Sequence, residues 1–315
     1  MMMKGMAKKK MSDTSRLKLE SHRKGSDHLA GYLSISPWLI GFILLIVGPM
    51  IASFYLSFTD YNLLSSPNWV GLDNYRALFS DGRFLKSLEI TFKFVFISVP
   101  AKLIFALAVA MLFNTGRKGS SLFSAIYYIP SIIGGSVAIA VVWKQLFGRQ
   151  GAITQILSML NIAEGNLIGN PDTALLVLII LVIWQFGSPM IIFLAGLRQI
   201  PKELYEAASV DGATKVKQFF HITLPMLTPV IFFNLVMQTI NGFMTFTQSY
   251  LITGGGPLDE TLFYAVYLYE TAFEYLRMGY ASAMAWVLLM IIAVITLIFF
   301  MTSKYWVFYQ DGGRY

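Results

Sequence analysis

The stretch Pro225 to Ile252 reads PMLTPVIFFNLVMQTINGFMTFTQSYLI, and none of its residues is Asp, Glu, Lys or Arg. A hydrocarbon core roughly 30 Å thick takes about 20 helical residues to cross, so an uncharged run of this length predicts a membrane-spanning helix. The run is not uniformly apolar. Asn234, Gln238, Asn241, Thr245 and Gln248 recur at alternating steps of four and three, which at 100° per residue confines them to a stripe about 80° wide. Amides in hydrocarbon cost free energy unless paired. The stripe must therefore face other helices or a wet passage, and both interhelical hydrogen bonding and the lining of a pathway satisfy that requirement.

Outward from this run lie five more of similar character: Leu33 to Phe58, Leu88 to Phe113, Leu122 to Phe147, Thr173 to Leu197 and Tyr280 to Ser303. Composition agrees with six spans. Of 315 residues 56% are hydrophobic and 13% charged, with mean hydropathy +0.62, whereas a soluble domain carries about a quarter charged residues. Pro37, Pro49, Pro100, Pro130 and Pro189 fall inside the spans. A membrane bundle tolerates them because neighbouring groups satisfy the freed carbonyls, so each is expected to mark a kink or a close approach.

Lys and Arg alternate in density from loop to loop. The tail before the first span holds eight, the Asn114 to Ser120 loop two, the Arg198 to Leu224 loop four and the C-terminus two. The other side has Arg76, Arg83, Lys86, Arg149 and Arg277, while Lys93, Lys102 and Lys144 lie within spans. Positive charge stays on the cytoplasmic side, so both termini are expected there. The basic start followed by about 25 apolar residues, with no small-residue cleavage site, reads as an uncleaved anchor. The tail 1–28, with Lys8, Lys9 and Lys10 in a row, is polar and aperiodic and is expected to be largely disordered; a latch on the membrane surface is a further reading of it. The net charge of +7 follows from this topology and from attraction to anionic headgroups, so no nucleic-acid partner is expected.

Several chemistries are excluded. There is no cysteine, hence no disulfide scaffold or thiolate site, and His22, His28 and His221 lack metal-ligand spacing. Gly-Lys occurs nowhere, so there is no P-loop; Gly254 to Pro257 (GGGP) is the one dense glycine cluster and reads as a turn. Gradient-driven carriers use carboxylates at mid-membrane, but here Glu89 and Asp172 stand only at span edges. No paired acids, Ser/His pair or metal cluster lies at depth. The pattern is that of a pathway without an engine.

The longest basic loop reads, from Glu203, ELYEAASVDGAT, and closes with Ile222-Thr223-Leu224-Pro225. Pro201 at a helix start with Glu203 and Glu206 in the first turns gives favourable N-terminal electrostatics. Ala207 and Ala208 leave one face flat, and Gly212 permits a sharp turn into a second short helix near Lys215 to His221. A stubby helical knob is expected.

The order Glu206-Ala207-Ala208, three residues, Gly212, nine residues, Ile222-x-Leu224-Pro225 resembles the signature of permease subunits of binding-protein-dependent ATP-binding-cassette importers. Similarity extends from about Trp38 to the C-terminus. It runs through Ile129-Pro130, Trp143, Gly148, Gly254 to Pro257 and Gly279-Tyr280-Ala281-Ser282-Ala283, a pattern similar to the carbohydrate branch with its maltose and glycerol-phosphate permeases. The resemblance implies an all-α membrane protein of six transmembrane helices, one N-terminal helix added to a five-helix importer core. It implies no cofactor and no enzymatic activity of the chain's own. The implied partners are a homologous second permease, two cytoplasmic ATPase subunits and an extracytoplasmic substrate-binding protein, at a bacterial or archaeal cytoplasmic membrane. In that family the knob is the coupling helix, so Glu203, Glu206, Ala207, Ala208, Asp211 and Gly212 would carry coupling to the ATPase. The implied cargo is a sugar, in the first place an oligosaccharide, neutral or acidic. Glycerol phosphate or another small solute is the alternative within the same architecture, and a gradient-driven carrier or a non-transporting membrane protein the alternative outside it.

For the pathway itself the candidates are the five-residue stripe, Gln185 and Ser188 beside Pro189, and Lys102, the one charge near mid-depth. Lys102 is read either as an attractor for an anionic solute or as an interface lysine reaching a carbonyl. The outer loops Thr59 to Ser87 and Thr253 to Gly279 are candidate docking surfaces for a binding protein, the latter through Tyr269, Glu270, Phe273 and Glu274. The expected division is a basic tail (1–28), first span with outer loop (29–83), permease core (84–303) containing the coupling loop (198–224), and C-terminal tail (304–315).

Overall fold

The computed structural model describes residues 31–114, 119–162 and 165–308. The basic tail, Arg117, Lys118 and Arg314 lie outside the described residues. Among those described, the chain is helical apart from turns and one isolated antiparallel bridge, Thr59 to Trp69. The helices are α1 (Gly31–Leu56), α2 (Asp73–Ser80), α3 (Gly82–Phe113), α4 (Ser120–Ile133), α5 (Val137–Phe147), α6 (Ala152–Met159), α7 (Pro171–Trp184), α8 (Gly187–Gln199), α9 (Lys202–Val210), α10 (Lys215–Phe243), α11 (Thr247–Ile252), α12 (Tyr264–Tyr269) and α13 (Met278–Trp306).

Four of these, α1, α3, α10 and α13, are each long and apolar enough to cross a membrane alone, and two bent pairs bring the number to six. Helix α1 is a compact unit by itself and buries none of its most apolar window. A helix that is apolar all round and uncovered by protein has lipid as its solvent. The second unit begins at Ser57. Its first loop is tied down by side chains: Ser57 Oγ lies 2.8 Å from Tyr75 Oη, and Asn74 Nδ2 donates to the carbonyls of Ser57 and Thr59 at 2.9 and 2.8 Å.

Within that unit α3 is central and packs against α7, α8 and α10. Its buried positions Ile90, Phe94, Ala106 and Ala110 are at most 1% exposed. The two alanines let neighbouring backbones approach closely, and Phe94 packs on Phe263 with ring centroids 4.5 Å apart.

Three expected spans are not single helices. The third bends by 93° between α4 and α5, where Gly134 and Gly135 offer no side chain to hold a helix and Ser136 caps a new one by accepting from the Ile139 amide. The fourth bends by 41° between α7 and α8. Pro189 has no amide to give the Gln185 carbonyl, and that carbonyl accepts instead from Ser131 Oγ at 2.9 Å. The fifth breaks after Phe243 and restarts at Thr247, so the polar stripe is divided between two helices. The second knob helix is not separate either: Lys215 opens α10 itself, through a π turn over Phe219–Thr223. There the Leu224 amide reaches back five residues to the Phe219 carbonyl just before Pro225, and in α1 Gly48 does the same to Ile43 just before Pro49. A widened turn makes room for a proline ring that would crowd the carbonyl four residues back.

Candidate functional site

The breaks in the fourth and fifth spans open onto one polar cavity of about 370 Å3. Helix α3 contributes Ser98 and Lys102, α4 contributes Ser131, the α7–α8 bend Gln185 and Ser188, α10 Gln238 and Asn241, and the segment beyond it Thr245, Thr247 and Gln248. Four members of the expected stripe are thus brought together with Gln185, Ser188 and Lys102. The fifth, Asn234, is not: it is fully buried one turn below Gln238, with Nδ2 donating to the Val230 carbonyl at 3.1 Å and Oδ1 without a partner among the described residues.

Lys102 is 9% exposed and donates from Nζ to Gln238 Oε1 at 2.8 Å, so the interface lysine and the cavity-facing lysine are one and the same. Gln185 lines the cavity but is committed structurally, its Nε2 donating to the Gly134 carbonyl at 3.1 Å. The Ser188 amide donates to Ser131 Oγ at 2.9 Å. Thr245 Oγ1 donates to the Asn241 carbonyl at 3.1 Å, closing the frayed end of α10.

An aromatic chain joins Tyr269 and Phe273, named above as docking candidates, to Phe246 and Tyr250, which the sequence did not single out. Phe246, at the cavity wall, stacks on Tyr250 at 5.0 Å with 18° between planes and meets Tyr269 at 5.2 Å; Tyr269 meets Phe273 at 5.1 Å. Spacing alone does not join residues from three elements.

Where α3 begins, Asp81 caps its helix by accepting from the amides of Arg83 and Phe84 at 3.0 and 3.2 Å, and takes Tyr267 Oη and Tyr280 Oη at 2.6 and 2.7 Å. Burial alone would raise its pKa, but the two phenols and two amides outweigh it and hold the carboxyl below 3.8. Arg83 forks onto Asp259, both bonds 3.1 Å, and also reaches Tyr275 Oη at 2.8 Å and Glu270 Oε2 at 3.3 Å. Lys86 meets Glu260 at 2.7 Å. These pairs pin the Gly254 to Leu262 turn, in which Gly254 and Gly255 take φ of +60° and +81° and Thr261 Oγ1 donates to the Gly256 carbonyl at 2.6 Å. Glu270 consequently points inward, burial pushing its carboxyl up against the opposing pull of Arg83; Phe273, 55% exposed, remains at the surface.

The knob is α9 and its turn. The amide of Ala213 donates to the Ala208 carbonyl at 2.8 Å and that of Gly212 to Ser209 at 3.1 Å, with Gly212 at φ +76°, the left-handed helix stop that glycine favours. Glu203, Glu206, Ala207, Asp211 and Gly212 are exposed and Ala208 half-buried. The knob is fastened to the root of α10 by Gln218, 3% exposed, whose Nε2 donates to Ser209 Oγ at 2.9 Å and the Ala213 carbonyl at 3.3 Å. Tyr205 Oη lies 2.9 Å from Thr223 Oγ1.

A polar cavity between broken membrane helices, with an exposed helical knob rooted in the same span, is the architecture of a transport permease. Residues 82–307 match the family model described as the binding-protein-dependent transport system inner membrane component, and the chain belongs to that family. It is therefore a multi-pass membrane permease subunit; such subunits are not themselves enzymes. It is 54% identical over 289 residues to the probable ABC transporter permease protein YesP of Bacillus subtilis strain 168, covering 90% of this chain and 94% of that one. It is 34% identical over 280 residues to the arabinooligosaccharides transport system permease protein AraP of the same organism, covering 87% and 88%. In fold it matches a chain of a bacterial ABC transporter involved in the import of the acidic polysaccharide alginate, with TM-score 0.77 at 23% identity over 89% of this chain and 96% of that one.

Proposed function

We propose that the chain forms half of the translocation pathway of an ATP-driven importer for a saccharide, first of all an oligosaccharide, handed over by an extracytoplasmic binding protein. The observation that carries this reading is the cavity around Lys102, Gln238 and Asn241. Hydroxyl-rich solutes exchange hydrogen bonds with water for bonds to amides and hydroxyls, and this wall offers both kinds. Relatives named for arabinooligosaccharide and for trehalose/maltose transport support a sugar over glycerol phosphate or another small solute. The absence of any Asp or Glu among the described residues that line the cavity weighs against a gradient-driven carrier.

In this reading a second, homologous permease supplies the other wall, and two ATPase subunits bind at the cytoplasmic face of a bacterial or archaeal cytoplasmic membrane. The excess of Lys and Arg in alternate loops supports cytoplasmic termini and a cytoplasmic knob. Exposed Glu203, Glu206, Ala207, Asp211 and Gly212, with half-buried Ala208, form the surface offered to the ATPase, and Gln218 transmits its movement to α10. The test is gentle solubilisation with a C-terminal tag, followed by uptake in reconstituted vesicles. The expected result is recovery of a second permease and an ATPase, with Glu206→Lys leaving recovery of the permease pair unchanged and abolishing ATP-dependent sugar uptake. Normal uptake by Glu206→Lys would remove the knob from the coupling path, and uptake that stops with an uncoupler while ATP persists would establish the carrier instead.

A further inference from the structure

We propose that Lys102 is a specificity-determining residue and that the solute it selects carries an anionic group, a carboxylate or a phosphate, on its hydroxyl-rich body. The inference rests on the importer reading above and deepens it.

Along α3, Lys102 stands 20 residues after Gly82 and 11 before Phe113, or about 30 Å and 17 Å at 1.5 Å per residue. Its stem is too short to bring the ammonium to either interface, in contrast to Lys93, which pairs with Glu89 one turn away at 2.5 Å. An ammonium at that depth is costly unless neutralised or well hydrated. The described residues around the cavity supply no carboxylate, only amides, hydroxyls and apolar groups. Of the three donors on Nζ, Gln238 Oε1 accepts one.

The arrangement is that of half an ion pair. A wall that served neutral sugars alone would manage with Gln238, Asn241 and Ser131 and would have no need of a charge. The bond to Gln238 Oε1 leaves the ammonium at the cavity wall, where its two remaining donors suit the oxygens of a carboxylate or phosphate. Neighbouring amides and hydroxyls are left for the solute's hydroxyls.

The experiment uses the importer assembled with its partner permease, ATPases and binding protein in proteoliposomes containing ATP. Outside are a neutral pool (oligosaccharides from starch and arabinan hydrolysates), an acidic pool (uronate oligosaccharides from pectin and alginate hydrolysates) and glycerol 3-phosphate. Luminal contents are read by mass spectrometry for wild type, Lys102→Met, Lys102→Gln and Lys102→Arg. The expected result is entry from the acidic pool; entry of glycerol 3-phosphate in its place would keep the role of the charge and refute the saccharide reading. Loss of a charged hydrogen bond should cut that entry about tenfold or more in the Met and Gln variants, with substantial recovery in Lys102→Arg and co-elution of all subunits throughout.

Wild-type import from the neutral pool alone would overturn the inference and leave the importer reading standing. Anionic import undiminished in both Met and Gln variants would overturn it as well. If those two variants lose the partner permease while Lys102→Arg keeps it, the charge serves assembly, through a carboxylate of the neighbouring subunit, and the inference falls. Entry of nothing from any pool would refute the saccharide importer itself.

Discussion

Replacing Asp81 by Ala removes four hydrogen bonds through one carboxylate, two to the first amides of α3 and two to the phenols of Tyr267 and Tyr280. Loss of a helix N-cap costs about 1 kcal/mol. The phenols belong to residues only 6% and 3% exposed, so water replaces the lost acceptor poorly, and a charged hydrogen bond contributes about 1.5–3 kcal/mol. Allowing for the shared acceptor, the total is about 3–5 kcal/mol. Asp81→Asn, whose amide oxygen still caps the helix, should lose about half of that. The assay is chaotrope or thermal unfolding of the importer in nanodiscs, with Tyr267→Phe/Tyr280→Phe as the second arm of a double-mutant cycle. In the double-Phe background Asp81→Ala should cost only the cap. A loss of about 1 kcal/mol for Asp81→Ala in both backgrounds would show the phenol bonds to be worthless and refute the reasoning. The pH dependence has a fixed sign. A carboxyl held below 3.8 in the folded chain contributes stability that is present above 3.8 and lost as pH falls through the lowered value. The acid limb should therefore flatten in Asp81→Asn.

Three other outcomes follow from the same geometry. A methyl group at Gly187 would lie 2.5 Å from the Tyr127 carbonyl and 2.7 Å from Tyr128 Cα, both backbone, so Gly187→Ala should destabilise by about 1–3 kcal/mol; an unchanged melting curve would contradict the packing of α8 on α4. Gln218→Leu leaves the Ala213 carbonyl and Ser209 Oγ without their buried donor, and hydrogen exchange across residues 202–213 should speed up about tenfold, against no change if the knob stands by itself. Tyr269→Ala removes the ring that joins Phe246 and Tyr250 to Phe273, and sugar uptake should fall several-fold at low concentration while ATP turnover persists; equal loss at saturating sugar would point to packing instead.

The six apolar stretches were legible because length and absence of charge decide membrane crossing, and the knob because glycine, alanine and acidic positions obey local helix rules. Asp81 carries a local signal too, an N-cap residue at the head of a long apolar helix, hidden by its place just outside the run. The interruptions were legible only in part: Pro189 stands at the bend of the fourth span, as a proline inside a span was expected to. Pro100 sits within a continuous α3, whereas the Phe243–Thr247 break contains no proline at all. Whether a proline or a polar turn interrupts a helix depends on what stands across from the freed carbonyl, and that is tertiary information.

Gln185 makes the point most clearly. Pro189 frees its carbonyl, Ser131 from another span accepts the task of satisfying it, and the Gln185 side chain in return satisfies Gly134, at the bend of that other span. A side chain at Gly134 would overlap Gln185, so the two bends fit only each other. Each break alone would leave a backbone group unpaired in a medium without water; together they leave none of these unpaired. The helices part where their backbones are mutually satisfied, and the space between them is walled largely by polar side chains. Five candidates spaced on one ideal helix were thus a guide to composition, while the cavity itself arises from departures from that helix. Asn234, the member farthest from the α10 break, shows the limit of the stripe by staying in the packed interior.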